Sequence, residues 1–203
     1  MLNRSLLEQK KLLIFDLDGT IVRLAVDWQA LKTLLSNRYS RLYNNACQFD
    51  SISKCLSYIV SEDDEEELLN FFSIIRSHEL QNIQESEIIE ETVYFIKHKE
   101  QFGIDKGVKF AVLSLNTRAT IKESLKLTNL TEEFDFLVGR EDVRRWKPEP
   151  DGLLKVLVHY DIEREKALYI GDMQKDLVTG KNAGVDAVLI GELIDLVHQI
   201  KKK

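Results

Sequence analysis

The chain has 203 residues, 44% of them hydrophobic and 31% charged, with a net charge of −6. This is globular composition, long enough for one core and a smaller appended module, and its negative balance argues against a general attraction to nucleic acid or to a membrane surface. No apolar run approaches the ~20 residues that span a bilayer, and the N-terminal MLNRSLLEQKK lacks the apolar centre of a signal peptide. The two cysteines, Cys47 and Cys55, lie in a polar stretch without a CxxC or a His cluster, as idle thiols of a reducing cytosol would. A cytoplasmic protein is expected.

In chain order, the apolar run 12–15 predicts a strand ending at Asp16. Residues 24–84 then break into helical patterns with no strand. Asp27 reads as an N-cap, with Trp28, Leu31, Leu35 and Leu42 on one helical face. The acidic run 62–67 opens a later helix carrying Leu68, Phe72 and Ile75 on one face. Acids at a helix start suit its dipole, and consecutive residues cannot all face one ion. Beyond this insert, strands are predicted at 110–113, 134–138, 168–170 and 187–190, with helices at 119–126, 152–159 and 175–182. Unbroken apolar strands alternating with helices imply a parallel sheet covered on both faces. The terminal Lys201, Lys202 and Lys203 read as a solvated helix end, where cations suit the dipole.

The expected architecture is therefore α/β. A Rossmann-like parallel core spans 1–23 and 85–203, and a small all-helical cap spanning 24–84 is inserted after the first strand.

Chemistry-bearing residues gather at the predicted strand ends. Asp16 and Asp18, at i and i+2, leave the first strand on one side, and Gly19 permits a sharp turn there. Paired carboxylates in such a turn can hold Mg²⁺, which prefers oxygen ligands, and Thr20 adds a hydroxyl. Ser114, with Asn116 and Thr117 beyond it, offers donors that suit a phosphate where a strand enters a helix. Lys147, between Trp146 and Pro148, can neutralise phosphoryl charge. Asp172 and Asp176 place two more carboxylates around the turn after the strand 168–170. A parallel sheet sets these ends along one edge, so the order Asp-x-Asp, Ser, Lys, Asp-x-x-x-Asp can converge. Together they supply a nucleophile, an acid/base, a cation for phosphoryl oxygens and a metal site.

Four segments, FDLDGT (15–20), VLSLNTR (112–118), KPEP (147–150) and IGDMQKDLVTGKNAGV (170–185), resemble the haloacid dehalogenase superfamily, specifically its phosphoglycolate-phosphatase-like branch with a helical cap. The resemblance spans nearly the whole chain. It implies a Rossmann-like core, Mg²⁺, an aspartyl-phosphate and a helical lid over the site. On this reading Asp16 is the nucleophile and Asp18 the acid/base. Mg²⁺ is held by Asp16, the Asp18 backbone carbonyl and Asp172, with Asp176 behind them orienting a metal-bound water or Lys147. Gly19, Thr20, Ser114, Asn116 and Lys147 bind the phosphoryl group of a small phosphorylated metabolite. Three departures from the family's pattern stand out. Leu115 follows Ser114 where the family often has Asn, Met173 follows Asp172 where Ser is common, and Ile21-Val22-Arg23 replaces Val-Asp-Ser.

A phosphomutase of the same family is the nearest alternative, and a phospho-acceptor receiver module a more distant one, because a receiver has no helical insert after its first strand. Arg23, Arg38, Arg41, Lys54 and Arg76 are candidate grips on substrate within or near the lid. Each also reads as solvated surface charge.

Overall fold

A computed structural model of the chain describes residues 2–44 and 51–202; Cys47 and Lys203 lie outside them. Leu12–Phe15 forms β1, and all four of its side chains are fully buried. A strand sends alternate side chains to opposite faces, so an unbroken apolar run needs cover on both. Leu13 and Phe15 enter one apolar cluster, Leu12 and Ile14 another.

A short helix α1 (Arg4–Leu7) precedes β1. After it come β2 (Val22–Arg23), α2 (Trp28–Tyr43), α3 (Ile52–Ser61), α4 (Glu65–Gln81), β3 (Glu87–Ile88) and α5 (Glu90–Lys97). The chain continues through β4 (Lys109–Leu113), α6 (Arg118–Leu127), β5 (Phe136–Val138), α7 (Asp151–Tyr160), β6 (Ala167–Gly171), α8 (Gln174–Ala183), β7 (Asp186–Leu189) and α9 (Ile190–Lys201). Five strands form a parallel sheet in the order β5-β4-β1-β6-β7. Helices α5, α6 and α9 cover the face of Leu13 and Phe15, while α7 and α8 cover the other. Phe15 anchors the first face, with Phe110, Phe134 and Phe95 edge-on at 5.7, 5.8 and 6.3 Å. This is the expected Rossmann-like α/β core. The strand foreseen over 134–138 is shorter, because a 3₁₀ turn ends at Phe134, whose ring is spent on the core.

Between β2 and β3 the chain leaves the sheet. These two-residue strands pair antiparallel, Val22 with Ile88 and Arg23 with Glu87, and form a neck. Above it α2, α3 and α4 pack on one another through Leu31, Leu35, Cys55, Ile59, Phe71 and Ile75. Leu24 and Ile83, at the ends of the 24–84 stretch, pack in the core's cluster and not in that of the helices. Leu42 corrects its expectation: it shares the angular stripe of Leu31 and Leu35, yet it is 50% exposed. Tyr39 is the last fully buried member of α2 in the cluster and Tyr43 still packs against it, so Leu42 between them is turned outward. Helix α4 begins at Glu65, capped by the Asp64 carboxylate accepting from the Glu67 N–H (2.9 Å). The helical module also grips the core. Trp146, from the loop before α7, is buried in its cluster with Leu115 and Val143 alongside. No helix among the described residues is long and apolar enough to cross a membrane.

Candidate active site

Strands β1, β4 and β6 run parallel and in register, so Asp16, Ser114 and Asp172 leave the same edge of the sheet. The carboxyl edge of an open α/β sheet is where ligands bind. A cavity of about 350 Å³ opens there, with Asp16, Asp18 and Asp172 on its core wall and Trp28 and Ile52 from the helical module on the other side.

Asp16 is buried and held on both oxygens. Its Oδ1 accepts from the Leu17 N–H (2.8 Å) and its Oδ2 faces Lys147 Nζ (2.9 Å). Lys147 also donates to Asp176 Oδ1 (2.8 Å) and to the Tyr169 hydroxyl (2.8 Å). Tyr169 in turn donates to Asp176 Oδ1 (2.9 Å), and Asp176 Oδ2 accepts from the Met173 N–H (3.0 Å). Asp176 thus accepts from three donors and helps to fix Lys147 against Asp16. Gly171 makes room for this, since a Cβ there would lie 2.4 Å from the Asp176 carboxyl carbon. Gly19, at φ +78°, likewise lets Asp172 approach; a Cβ would meet its Oδ2 at 2.3 Å.

Burial and mutual repulsion make these acids harder to ionise. Burial raises the Asp16 carboxyl, with Lys147 opposing and Asp176 reinforcing. Burial also pushes Asp18 up to about 6, against the Leu24 N–H bond to its Oδ1 (2.9 Å) and with help from the charges of Asp16 and Glu79. Asp172 rises to about 6 through burial and then through repulsion by Asp16 and Asp176. Burial alone would lower Lys147, but the Asp16 and Asp176 charges win and raise it. One carboxylate oxygen from each of Asp16, Asp172 and Asp176 lies within 4.8 Å of the others. Desolvated, mutually repelling oxygen donors at that spacing fit a small hard cation such as Mg²⁺.

The structure brings Asp16, Asp18, Ser114, Asn116 and Asp172 to the cavity wall, with Lys147 and Asp176 directly behind Asp16. Gly19 and Thr20 are placed differently from expectation. The Gly19 N–H donates to the Val22 carbonyl (2.7 Å) and the Thr20 N–H to that of Leu17 (3.2 Å), closing the turn. Thr20 is wholly buried and does not line the cavity, and its hydroxyl has no partner among the described residues. Ser114 Oγ donates to Asn116 Oδ1 (2.8 Å) and accepts from the Asn116 N–H (3.2 Å). Arg38 is removed as a substrate grip because it pairs with Glu67 inside the helical module. Arg23 pairs with Glu87 at the neck, and Arg41 and Arg76 bond within their own helices. None of these four, nor Lys54, lines the cavity.

Sequence reading missed Glu79 and Arg140. Glu79 is fully buried and accepts from Asn116 Nδ2 (3.0 Å), the Thr117 N–H (2.9 Å) and the hydroxyls of Thr117 and Thr120 (2.8 Å each). It continues the i+4 stripe of Phe71 and Ile75, so an acid in an apolar row was its signal. Arg140 stands two residues beyond β5, at the same sheet edge as the aspartates. Tyr169 reads from sequence as an ordinary core residue of its strand.

A model of the haloacid dehalogenase-like hydrolase family matches residues 13–190, and the chain belongs to that family of enzymes. Pyrophosphatase PpaX of Bacillus thuringiensis (strain Al Hakam) is 30% identical over 184 residues, 87% of this chain and 81% of that one. Among solved structures, CbbY of Rhodobacter sphaeroides in complex with phosphate superposes with a TM-score of 0.62 at 16% identity, covering 89% of this chain and 85% of that one. A haloacid dehalogenase-like hydrolase of Bacteroides fragilis gives 0.61 at 21% identity, covering 88% and 86%. At these identities the two structures establish the shared fold.

Proposed function

We propose that the chain is a Mg²⁺-dependent phosphatase that hydrolyses a small phosphate monoester through an aspartyl-phosphate on Asp16. The observation that supports it is the setting of Asp16. It is a buried carboxylate at the end of the central strand, oriented by the Leu17 N–H and Lys147, and it faces a cavity that also holds Asp18 and Asp172. Mg²⁺, held by Asp16, Asp172 and the Asp18 carbonyl, would screen the repulsion between an anionic nucleophile and an anionic substrate.

The chain's own residues do the rest. An Asp16 oxygen attacks phosphorus, and the bond from phosphorus to the ester oxygen breaks. The Asp18 carboxyl gives its proton to that leaving oxygen; a value of about 6 lets it be protonated and still act as a base afterwards. As a carboxylate it takes a proton from water, whose oxygen attacks phosphorus and releases phosphate from Asp16. Lys147, fixed by Asp176 and Tyr169, holds positive charge beside Asp16 throughout. The helices over the cavity exclude bulk water and complete the substrate pocket.

The test is phosphate release from a panel of phosphorylated small molecules and an aryl phosphate. Activity should require Mg²⁺, vanish in excess chelator and return poorly with Ca²⁺, which prefers more ligands at longer distance. Turnover undiminished by chelator, or no release from any monoester, contradicts the proposal.

A further inference from the structure

Arg140 is not accounted for by phosphoryl transfer at Asp16. Its side chain is 3% exposed, and neither Nε nor Nη1 has a hydrogen-bond partner among the described residues. A charged donor held away from water without a partner is unfavourable, so its retention calls for an acceptor that arrives from outside. The backbone is fixed at both ends. The Arg140 N–H donates to the Asn116 carbonyl (2.8 Å), and its own carbonyl accepts from Trp146 Nε1 (2.8 Å). Burial lowers the Arg140 guanidinium, and the Glu79 charge only partly opposes this, its hydrogen bonds going to Asn116, Thr117 and Thr120. Arg140 lines the same cavity as Asp16 and Asp172, and two more cations join it there: Lys32 from α2 and Lys175 from α8. Neither lysine makes an ion pair among the described residues. Lys147 already supplies the positive charge beside Asp16. Three further cations lining one cavity, Arg140 and Lys175 from the core and Lys32 from the helical module, exceed what a single transferring phosphoryl group requires.

We infer that the substrate carries a second anionic group, a carboxylate or a second phosphate, and that Arg140 binds it with Lys32 and Lys175 nearby. The inference rests on the cavity being the phosphatase site. A guanidinium suits either group, because both offer several acceptor oxygens to its planar N–H donors. Selection between substrates would then depend on the tail, with the neutral-tailed ester lacking the partner for a buried charge.

The intact chain with Mg²⁺ is assayed on three esters: an alkyl phosphate with a neutral tail, a phosphorylated short hydroxy acid and an alkyl bisphosphate of matched length. Wild type should favour at least one anionic tail over the neutral one by at least ~10²-fold in kcat/KM. The ester that gains most identifies the group as carboxylate or phosphate. In Arg140→Gln the ratio of anionic to neutral tail should collapse at least ~30-fold, mainly through KM, with partial recovery in Arg140→Lys. A residue that served only as counter-ion to Glu79 would lower all three substrates alike and leave the ratio unchanged, and that result overturns the inference. So does a wild type indifferent to the tail.

Calorimetry with phosphonoacetate, an alkyl bisphosphonate and methylphosphonate reads the same contact without turnover. Phosphonoacetate, or an alkyl bisphosphonate if the second group is a phosphate, should bind wild type at least ~10-fold more tightly than methylphosphonate, and Arg140→Gln should erase the difference. Equal binding of all three probes to wild type contradicts the inference. If no ester is hydrolysed while this binding difference persists, it is the phosphatase reading that fails.

Discussion

Asp18 shows how one carboxyl can be tuned by its place in a turn. Its folded value of about 6 exceeds the ordinary 3.8, chiefly through burial. Between those values the folded chain binds more protons than the unfolded one, so the stability drawn from this protonation is complete below 3.8 and is lost as pH rises through 6. Asp18→Asn cannot titrate but can still accept the Leu24 N–H. In chelator, its melting temperature relative to wild type should therefore climb from pH 4 to pH 7; a difference that stays flat would show that Asp18 is not perturbed. With Mg²⁺, the same variant should lose most of its turnover. The Asp16-x-Asp18-Gly19 spacing made this turn legible in the sequence, because i and i+2 carboxylates leave a strand on one side. The burial of Thr20 was not legible, because its place directly after Asp18 and Gly19 says nothing of the neighbours the turn packs around it. Arg140 was passed over because no local pattern distinguishes a buried arginine from a surface one; only its position beyond β5 could have pointed to it.

At the scale of elements, α4 is tied to the loop after β4 by a single side chain. Glu79 gathers an amide, a backbone N–H and two hydroxyls from Asn116, Thr117 and Thr120. Glutamine there turns one acceptor into a donor, leaving at least one buried donor facing another. Glu79→Gln should cost ~1–3 kcal/mol in urea unfolding, with kcat reduced as Ser114 and Asn116 loosen; an unchanged unfolding midpoint contradicts the latch. The apolar runs of β1, β4 and β6 declared themselves, since strands buried on both faces read as unbroken hydrophobic stretches. The neck strands β2 and β3 did not, because two residues carry no periodicity. Helix α5 was missed as well: its buried Thr92, Val93, Phe95 and Ile96 are β-formers as much as helix formers in isolation.

For the whole molecule, a doubly covered sheet presents the candidate catalytic groups along one edge, and a helical module seated on Trp146, Leu115 and Val143 lines the other side of their cavity. The α/β class and the inserted helices were legible from the alternation of patterns. The grip between module and core was not, because Trp146 and Glu79 pair across segments far apart in the chain. Replacing α2 to α4 with a short Gly/Ser linker, keeping the β2–β3 neck, removes Lys32 and the apolar wall but keeps Asp16, Asp18, Lys147 and Asp172. Discrimination among phosphate esters should flatten, with weak hydrolysis of an aryl phosphate surviving wherever circular dichroism shows a folded core. An unchanged substrate ranking would place specificity in the core alone.

The central claim is that Asp16 carries the phosphoryl group. Acid-quenching the enzyme during turnover with Mg²⁺ and a ³²P-labelled substrate, then mapping the label, tests it directly. The account predicts an acid-stable, hydroxylamine-sensitive phosphoenzyme whose label lies on the peptide containing Asp16. In Asp16→Asn the label should be absent and turnover should fall by at least ~10³-fold. Label on another residue, or near-normal turnover by Asp16→Asn, would contradict it.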